Sequence, residues 1–356
     1  MPEGAGAAGW RRLALDPPRA FGTPPVSGNL RATAADFAVE ERLGYEPDGG
    51  RAHRLLWVEK QAANTLDVAR ELAAAAGCAP ADVGFAGMKD RQAVARQWFS
   101  VPAERAQPPP AGFRGDAFRV LASHPHSRKL RRGALAGNAF AIRVRAVAGD
   151  RVALASRLER IAAGGFPNYF GPQRFGAGGA NLAQVEAWLE RGWLPRGREP
   201  RAFVLSTARA IAFHAVLARR VDEGSWNRLL PGEVVNLAGS ASVFVAAAPD
   251  EALAERCRAG DVRPTGPLCG EGGLAPEGEA AAVEHAALEA AAPLPAQLAA
   301  FGMRGERRAL VTRPAALRQR EDGDALVLEF ELPRGAYATS LLRELVESGA
   351  PPAGGD

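Results

Sequence analysis

The residue types best suited to chemistry gather in one stretch, GFAGMKDRQAVARQWFSV, running from Gly84 to Val101. It sets an acid, Asp90, between two bases, Lys89 and Arg91, with Arg96 close behind. Nearby cations hold a carboxylate ionised even where burial favours its protonated form. An ionised carboxylate serves as a nucleophile or as a general base. The plain alternative is structural: an Asp standing before RQAVARQ is predicted to cap a helix by accepting from its first free amides. In this reading Val83 to Ala86 is a buried strand end, Gly87 permits the turn, and WFSV returns to strand before Pro102.

Other chemistries have less support. His53, His124, His126, His214 and His285 offer one close pair and no acidic partner at ligand spacing, so no metal site is expected. His214 reads as a helix-surface or core histidine. No GxSxG, P-loop or DxD pattern occurs. Cys78, Cys257 and Cys269 are odd in number and widely spaced, which suggests neither a disulfide framework nor a CxxC site and fits a reducing cytoplasm. What remains is an acid in a basic setting, glycine-aromatic turns such as GGFPNYFGPQRFGAGGANL (Gly164 to Leu182), and arginine-rich loops. That combination suits carboxylate chemistry on a nucleic acid, with aromatic rings stacking on a base.

Lys60, Lys89 and Lys129 are the only lysines, so nearly all positive charge sits on arginine, whose planar fork suits phosphate and base stacking. A general preference for Arg over Lys in the genome would leave the same count. Arg128, Lys129, Arg131 and Arg132 form the densest basic cluster. Beside them Phe140, Ile142 and Val144 alternate with Ala141, Arg143 and Arg145, which predicts a strand with one buried and one positive face. The pair is either a solvated loop or a groove that tracks phosphates.

The elements that must position these groups follow from length and patterning. With 356 residues, 47% of them hydrophobic, the chain has material for a sizeable core and two domains. Its 44 basic against 40 acidic residues give a net charge of +4, compatible with a polyanionic partner without requiring one. No apolar run approaches the ~20 residues that cross a bilayer. Residues 1–27 carry an early acid and no continuous apolar core, so they read as a flexible segment and not a signal peptide. From residue 28 the pattern gives a strand with Phe37 and Val39 on one face, a second strand HRLLWVEK, and a helix capped by Asn64. The proline-rich stretch from Pro102 to Asp116 is a loop. Residues 151–163, 181–191 and 203–222 read as helices, ALVLEFEL as a strand, and the segment through Leu342 and Leu345 as a last helix. Alpha/beta character at both ends thus encloses a more helical middle.

The segment GFAGMKDRQAVARQWFSV resembles the active-site motif of the TruD family of pseudouridine synthases. LRATAADFAVEE, RKLRRGALAGNAF, FPNYFGPQRFGAGGANL, FVLSTARAIAFHAVLARR and LPRGAYATSLLRELV resemble family segments in the same order, from about residue 28 to 347. The resemblance implies isomerisation of uridine to pseudouridine in transfer RNA, at position 13 of the D-arm, with no metal and no cofactor. It makes Asp90 the catalytic aspartate, Phe37 an aromatic that lines the site, Asn138 a polar substrate contact, and Tyr337 the occupant of a position where relatives usually carry Phe. Arg31 is the first candidate for the base that pairs with Asp90, with Lys89 and Arg91 as alternatives. Arg128, Lys129, Arg131, Arg132, Arg143 and Arg174 are candidate RNA contacts. The implied fold is an α/β (α+β) catalytic domain with a mixed, largely antiparallel sheet, residues 28–163 plus 312–350, interrupted by an inserted α/β domain at 164–311. A cytoplasmic monomer that needs no protein partner or membrane is expected, with RNA-chaperone activity a second possibility on the same scaffold.

Overall fold

Period-two burial builds the larger sheet. In Phe37–Arg42, the side chains of Phe37, Val39 and Glu41 are buried while Ala38 and Glu40 are half-buried. The computed structural model describes residues 7–348, which divide into two units. The unit made of Pro25–Leu158, Pro314–Gly335 and the chain from Val346 holds a ten-stranded sheet. Its central order is Ala315–Asp322, Ala325–Pro333, Gly137–Gly149, Phe37–Arg42, Val94–Pro102, His53–Lys60, Phe118–His126. Neighbours on this path are antiparallel except Phe37–Arg42 against Val94–Pro102; Val26–Leu30 adds a second parallel pairing, with Val346–Ser348. The sheet is thus mixed and largely antiparallel, as expected.

The helix Thr65–Ala76 covers one face, packing Val68, Ala69, Leu72, Ala73 and Ala76 on Leu56, Val58, Phe99 and Val101. Gly77, at φ 73°, ends it in the left-handed conformation that glycine adopts without steric cost. The opposite face carries ion pairs, Arg96 with Glu40 and Glu59, and Arg119 with Glu59, in which solvent screens much of the attraction.

The second unit runs through Pro24, Glu159–Arg313 and Ala336–Leu345. The division therefore cuts the helix Arg151–Gly164 and draws residues 336–345 away from the strand that precedes them. Within this unit Ser340 donates to the Tyr169 carbonyl, and Arg343 to the carbonyls of Pro17 and Pro18. Residues 1–6 and 349–350 of the expected domains lie outside the described residues. The N-terminal segment departs from its expected flexibility: Ala7–Leu15 is a helix, with Trp10 and Ala14 buried and the Trp10 indole donating to Ala290. One large apolar ring, easily overlooked amid glycine and alanine, anchors it.

The helix Arg198–Asp222 is the spine of this unit, with Leu205, Ala208, Ile211, Ala212 and Ala215 in its core. It begins earlier than the pattern suggested. By length and composition it is apolar enough to cross a membrane, yet 72% of its most apolar window is buried within the protein, which is what a core helix requires. The middle of the chain also carries a sheet beside its helices, in keeping with the α/β insertion that the resemblance implied. Val243–Ala246, Glu233–Leu237, Val262–Leu268 and Glu306–Ala309 form a four-stranded antiparallel sheet.

His214 on the spine is a core histidine. Its Nδ1 lies 2.7 Å from the Leu13 carbonyl and its Nε2 accepts from the Phe170 amide at 2.8 Å, so the neutral tautomer protonated on Nδ1 satisfies both partners. Burial pushes its pKa from 6.5 down to about 3. The unfolded chain then takes up a proton that the folded chain refuses. Stability should therefore fall as pH drops below about 6.5, by roughly 1.4 kcal/mol per pH unit from this group, with no contribution above that range. Thermal melts between pH 7 and 5 should show a shallower acid dependence for His214→Gln than for the parent.

Candidate active site

The chain reaches Asp90 through a short strand, Gly84–Phe85, paired with Phe99 and Ser100. A Cβ on Gly84 would lie 2.3 Å from the Leu130 carbonyl, so only glycine admits this approach. Beyond Asp90 the structure differs from the expected capped helix. Val94–Pro102 is a strand in which Ala95, Gln97 and Phe99 are buried and Arg96 is exposed. It pairs with strands on both sides, and two ladders outweigh the helical propensity of the RQAVARQ segment. Asp90 still accepts from a nearby amide: its Oδ1 receives the Gln92 N–H at 3.0 Å, closing a turn instead of starting a helix.

Of the three candidate bases, Arg31 reaches Asp90. Its Nη1 donates to Oδ2 at 2.7 Å, with side chains 28% and 27% exposed, leaving the pair open to a ligand. Arg31 holds φ at 60°, a left-handed backbone that L residues rarely adopt, and its guanidinium lies 4.2 Å above the Phe37 ring. Phe37 is only 6% exposed, so it supports Arg31 from below. Lys89 turns inward instead. Its Nζ donates to Glu41 Oε2 and to Asn138 Oδ1, each at 2.8 Å, and the Glu41 side chain is fully buried. Arg91 is exposed and donates to the Ala62 carbonyl.

Two residues that sequence patterning missed complete the site. Glu41 also accepts from the Trp98 amide. Lys60 is 1% exposed and donates to the main chain of Asp90. Its signal was legible: a lysine in phase with the buried Leu56 and Val58 at the end of an apolar strand. Burial pushes its pKa down to about 8.

The basic candidates fare differently. Arg128, Lys129, Arg131 and Arg132 lie exposed on one loop; Lys129 donates to the Ala81 carbonyl and Arg132 lies 3.8 Å over the Phe85 ring. The positive face expected at Arg143 and Arg145 is neutralised. Arg143 pairs with Asp322, and Arg145 holds the buried Asp36 through contacts of 2.8–3.0 Å. Burial would raise the Asp36 pKa, but hydrogen bonds from Arg145 and from Thr33 hold it below the usual range. In the other unit Arg174 donates to the Tyr337 hydroxyl at 3.2 Å and to Ser206. Tyr337 lies edge-on to Phe170, and Phe170 also lies 4.2 Å beneath the half-buried Arg308.

The family model described as "tRNA pseudouridine synthase D (TruD)" matches residues 19–192 and 200–345. The chain belongs to the TruD family. Relatives named tRNA pseudouridine synthase D include one from Chromohalobacter salexigens, 42% identical over 93% of this chain and 96% of the relative. Another, from Xanthomonas euvesicatoria, is 44% identical over 92% and 94%. The crystal structure of a TruD protein from Methanosarcina mazei shares the fold at a TM-score of 0.70, with 21% identity over 94% of this chain and 96% of that one.

If Arg31 orients the carboxylate, Arg31→Gln should lower the single-turnover rate on the order of a hundredfold, as loss of one preorganised donor does elsewhere. Arg91→Gln, which removes an exposed base that donates to the Ala62 carbonyl, should change it by less than about threefold.

Proposed function

We propose that the protein isomerises uridine to pseudouridine in transfer RNA, at position 13 of the D-arm, with Asp90 as the reacting carboxylate. The observation that carries this reading is the Arg31–Asp90 pair, a hydrogen-bonded ion pair that is open to solvent beside otherwise buried charges. Family membership supplies the substrate class, and the same motif residues that resemble the family's active site surround the pair.

The reaction breaks the C1′–N1 bond, turns the uracil, and rejoins it through C5; a proton leaves C5 and N1 ends protonated, so atoms and electrons balance without a co-reactant. Asp90 contributes either by attacking C1′, which releases uracil as an anion, or by removing the 2′-proton. Both routes need the ionised form. Arg31 favours that form and fixes its direction. A base inside a folded RNA must first leave its stack, at a cost of a few kcal/mol that contacts to the flipped nucleotide offset. The exposed Arg128–Arg132 loop is the phosphate-binding candidate on this unit. In the Arg143 region, the paired acids argue against such a role. The protein acts in the cytoplasm as a monomer.

Asp90→Asn should retain transfer RNA binding and lose pseudouridine formation. Turnover near that of the parent would reject Asp90 as the reacting group. Pseudouridine mapping in transfer RNA from cells with and without the gene should show loss at position 13 alone. Binding should weaken linearly in log–log with rising salt, and the slope should flatten by about one for each phosphate-contacting base removed from Arg128–Arg132.

A further inference from the structure

Lys60 occupies an unusual position for an ammonium group. It closes the strand His53–Lys60 on the buried side, and its partners among the described residues are main-chain oxygens. Nζ donates to the Ala63 carbonyl at 2.8 Å, to that of Asp90 at 2.9 Å and, at the limit, to that of Lys89 at 3.5 Å. Three N–H groups thus meet three carbonyl oxygens. Burying an ammonium with no carboxylate in direct contact is costly, and a Leu or Met would fill the same space without that cost.

We propose that Lys60 is the positioning residue of the active site, whose ammonium draws the carbonyls of Lys89 and Asp90 inward and so aims the Asp90 carboxylate outward at Arg31. Thr65 and Gln97 complete the clamp: Thr65 Oγ1 accepts from the Lys89 amide at 3.0 Å and donates to Gln97 Oε1, and Gln97 Nε2 donates to the Gly87 carbonyl. The charges that bear on Lys60 come from the same loop. Asp90 favours its protonated form and Lys89 opposes it, while the helix and strand packed there contribute the uncharged Thr65 and Gln97. The lowered Lys60 pKa, about 8, places loss of this clamp within reach of ordinary assay conditions.

The inference rests on Asp90 being the reacting carboxylate, and the two fail separately. Asp90→Asn with parental turnover rejects that reading whatever Lys60 does. For the clamp, single-turnover rates, transfer RNA affinity and melting temperature are compared for the parent, Lys60→Met and Lys60→Arg. Lys60→Met should lower the rate about a hundredfold, the scale of a misplaced reacting group, with affinity within about threefold and no lower melting temperature. Lys60→Arg, which keeps the charge, should recover at least about tenfold of that loss. In the parent the rate should fall as pH rises through about 8, where Lys60 loses its proton, and Lys60→Met should lack this limb. A Lys60→Met rate within about threefold of the parent, or a loss that Lys60→Arg shares in full alongside a lowered melting temperature, overturns the proposal. Should Lys60→Met fail to fold, a parental rate that stays flat up to pH 9.5 overturns it by itself.

Discussion

Everything at the site depends on satisfying a loop that has no ladder of its own. Gly87–Asp90 is partly buried, and its main-chain groups that face the protein would each lose their hydrogen bonds to water if left unpaired. Side chains from four directions supply the partners: Gln97 for Gly87, Thr65 for the Lys89 amide, Lys60 for the Lys89 and Asp90 carbonyls, and Arg31 for the carboxylate. The ion pair between Lys89 and the buried Glu41 ties this loop to the register of Phe37–Arg42. A one-residue slip of that strand would turn Glu40 inward and present Glu41 to solvent, so sheet pairing and loop position are a single choice.

How much of this was legible follows from which signals are local. Asp90, its flanking bases and the strand before it could be read directly, because their types and neighbours carry the signal. The segment after Asp90 was misread because RQAVARQ suits a helix locally, and only pairing with strands distant in sequence makes it a strand. The Ala7–Leu15 helix was missed for the same reason: its hydrogen bonds, Trp10 to Ala290 and Leu13 to His214, join it to residues far along the chain. Resemblance placed Arg31 first among the candidate bases and it does meet Asp90, but the left-handed backbone that delivers it is announced by no residue type there. Arg143 and Arg145 were read as free charge because their acidic partners, Asp36 and Asp322, come from other elements.

The glycine-aromatic stretch after Gly164 is a packing device for arginine. Arg308 donates to the Asn168 carbonyl and amide oxygens and lies 4.2 Å over the Phe170 ring and 5.4 Å from that of Phe213, and desolvation pushes its pKa down to about 10. Flat aromatic faces and one amide accommodate a guanidinium that has been stripped of much of its water. Gly171 is required where it stands, because a Cβ there would come within 2.6 Å of the Tyr337 ring. Composition marked this stretch as unusual, but its partners could be found only in the folded unit.

The parallel pairing of Val26–Leu30 with Val346–Ser348 has a consequence for how the protein is made. The strand that leads into Arg31 is synthesised early, yet one of its two neighbours leaves the ribosome roughly 300 residues later, at a synthesis rate of about 5–20 residues per second. During those seconds its edge has open main-chain groups beside Arg31, the partner of Asp90, where another extended segment could pair in error. The order of translation therefore makes closure of this edge one of the last events before the site is complete.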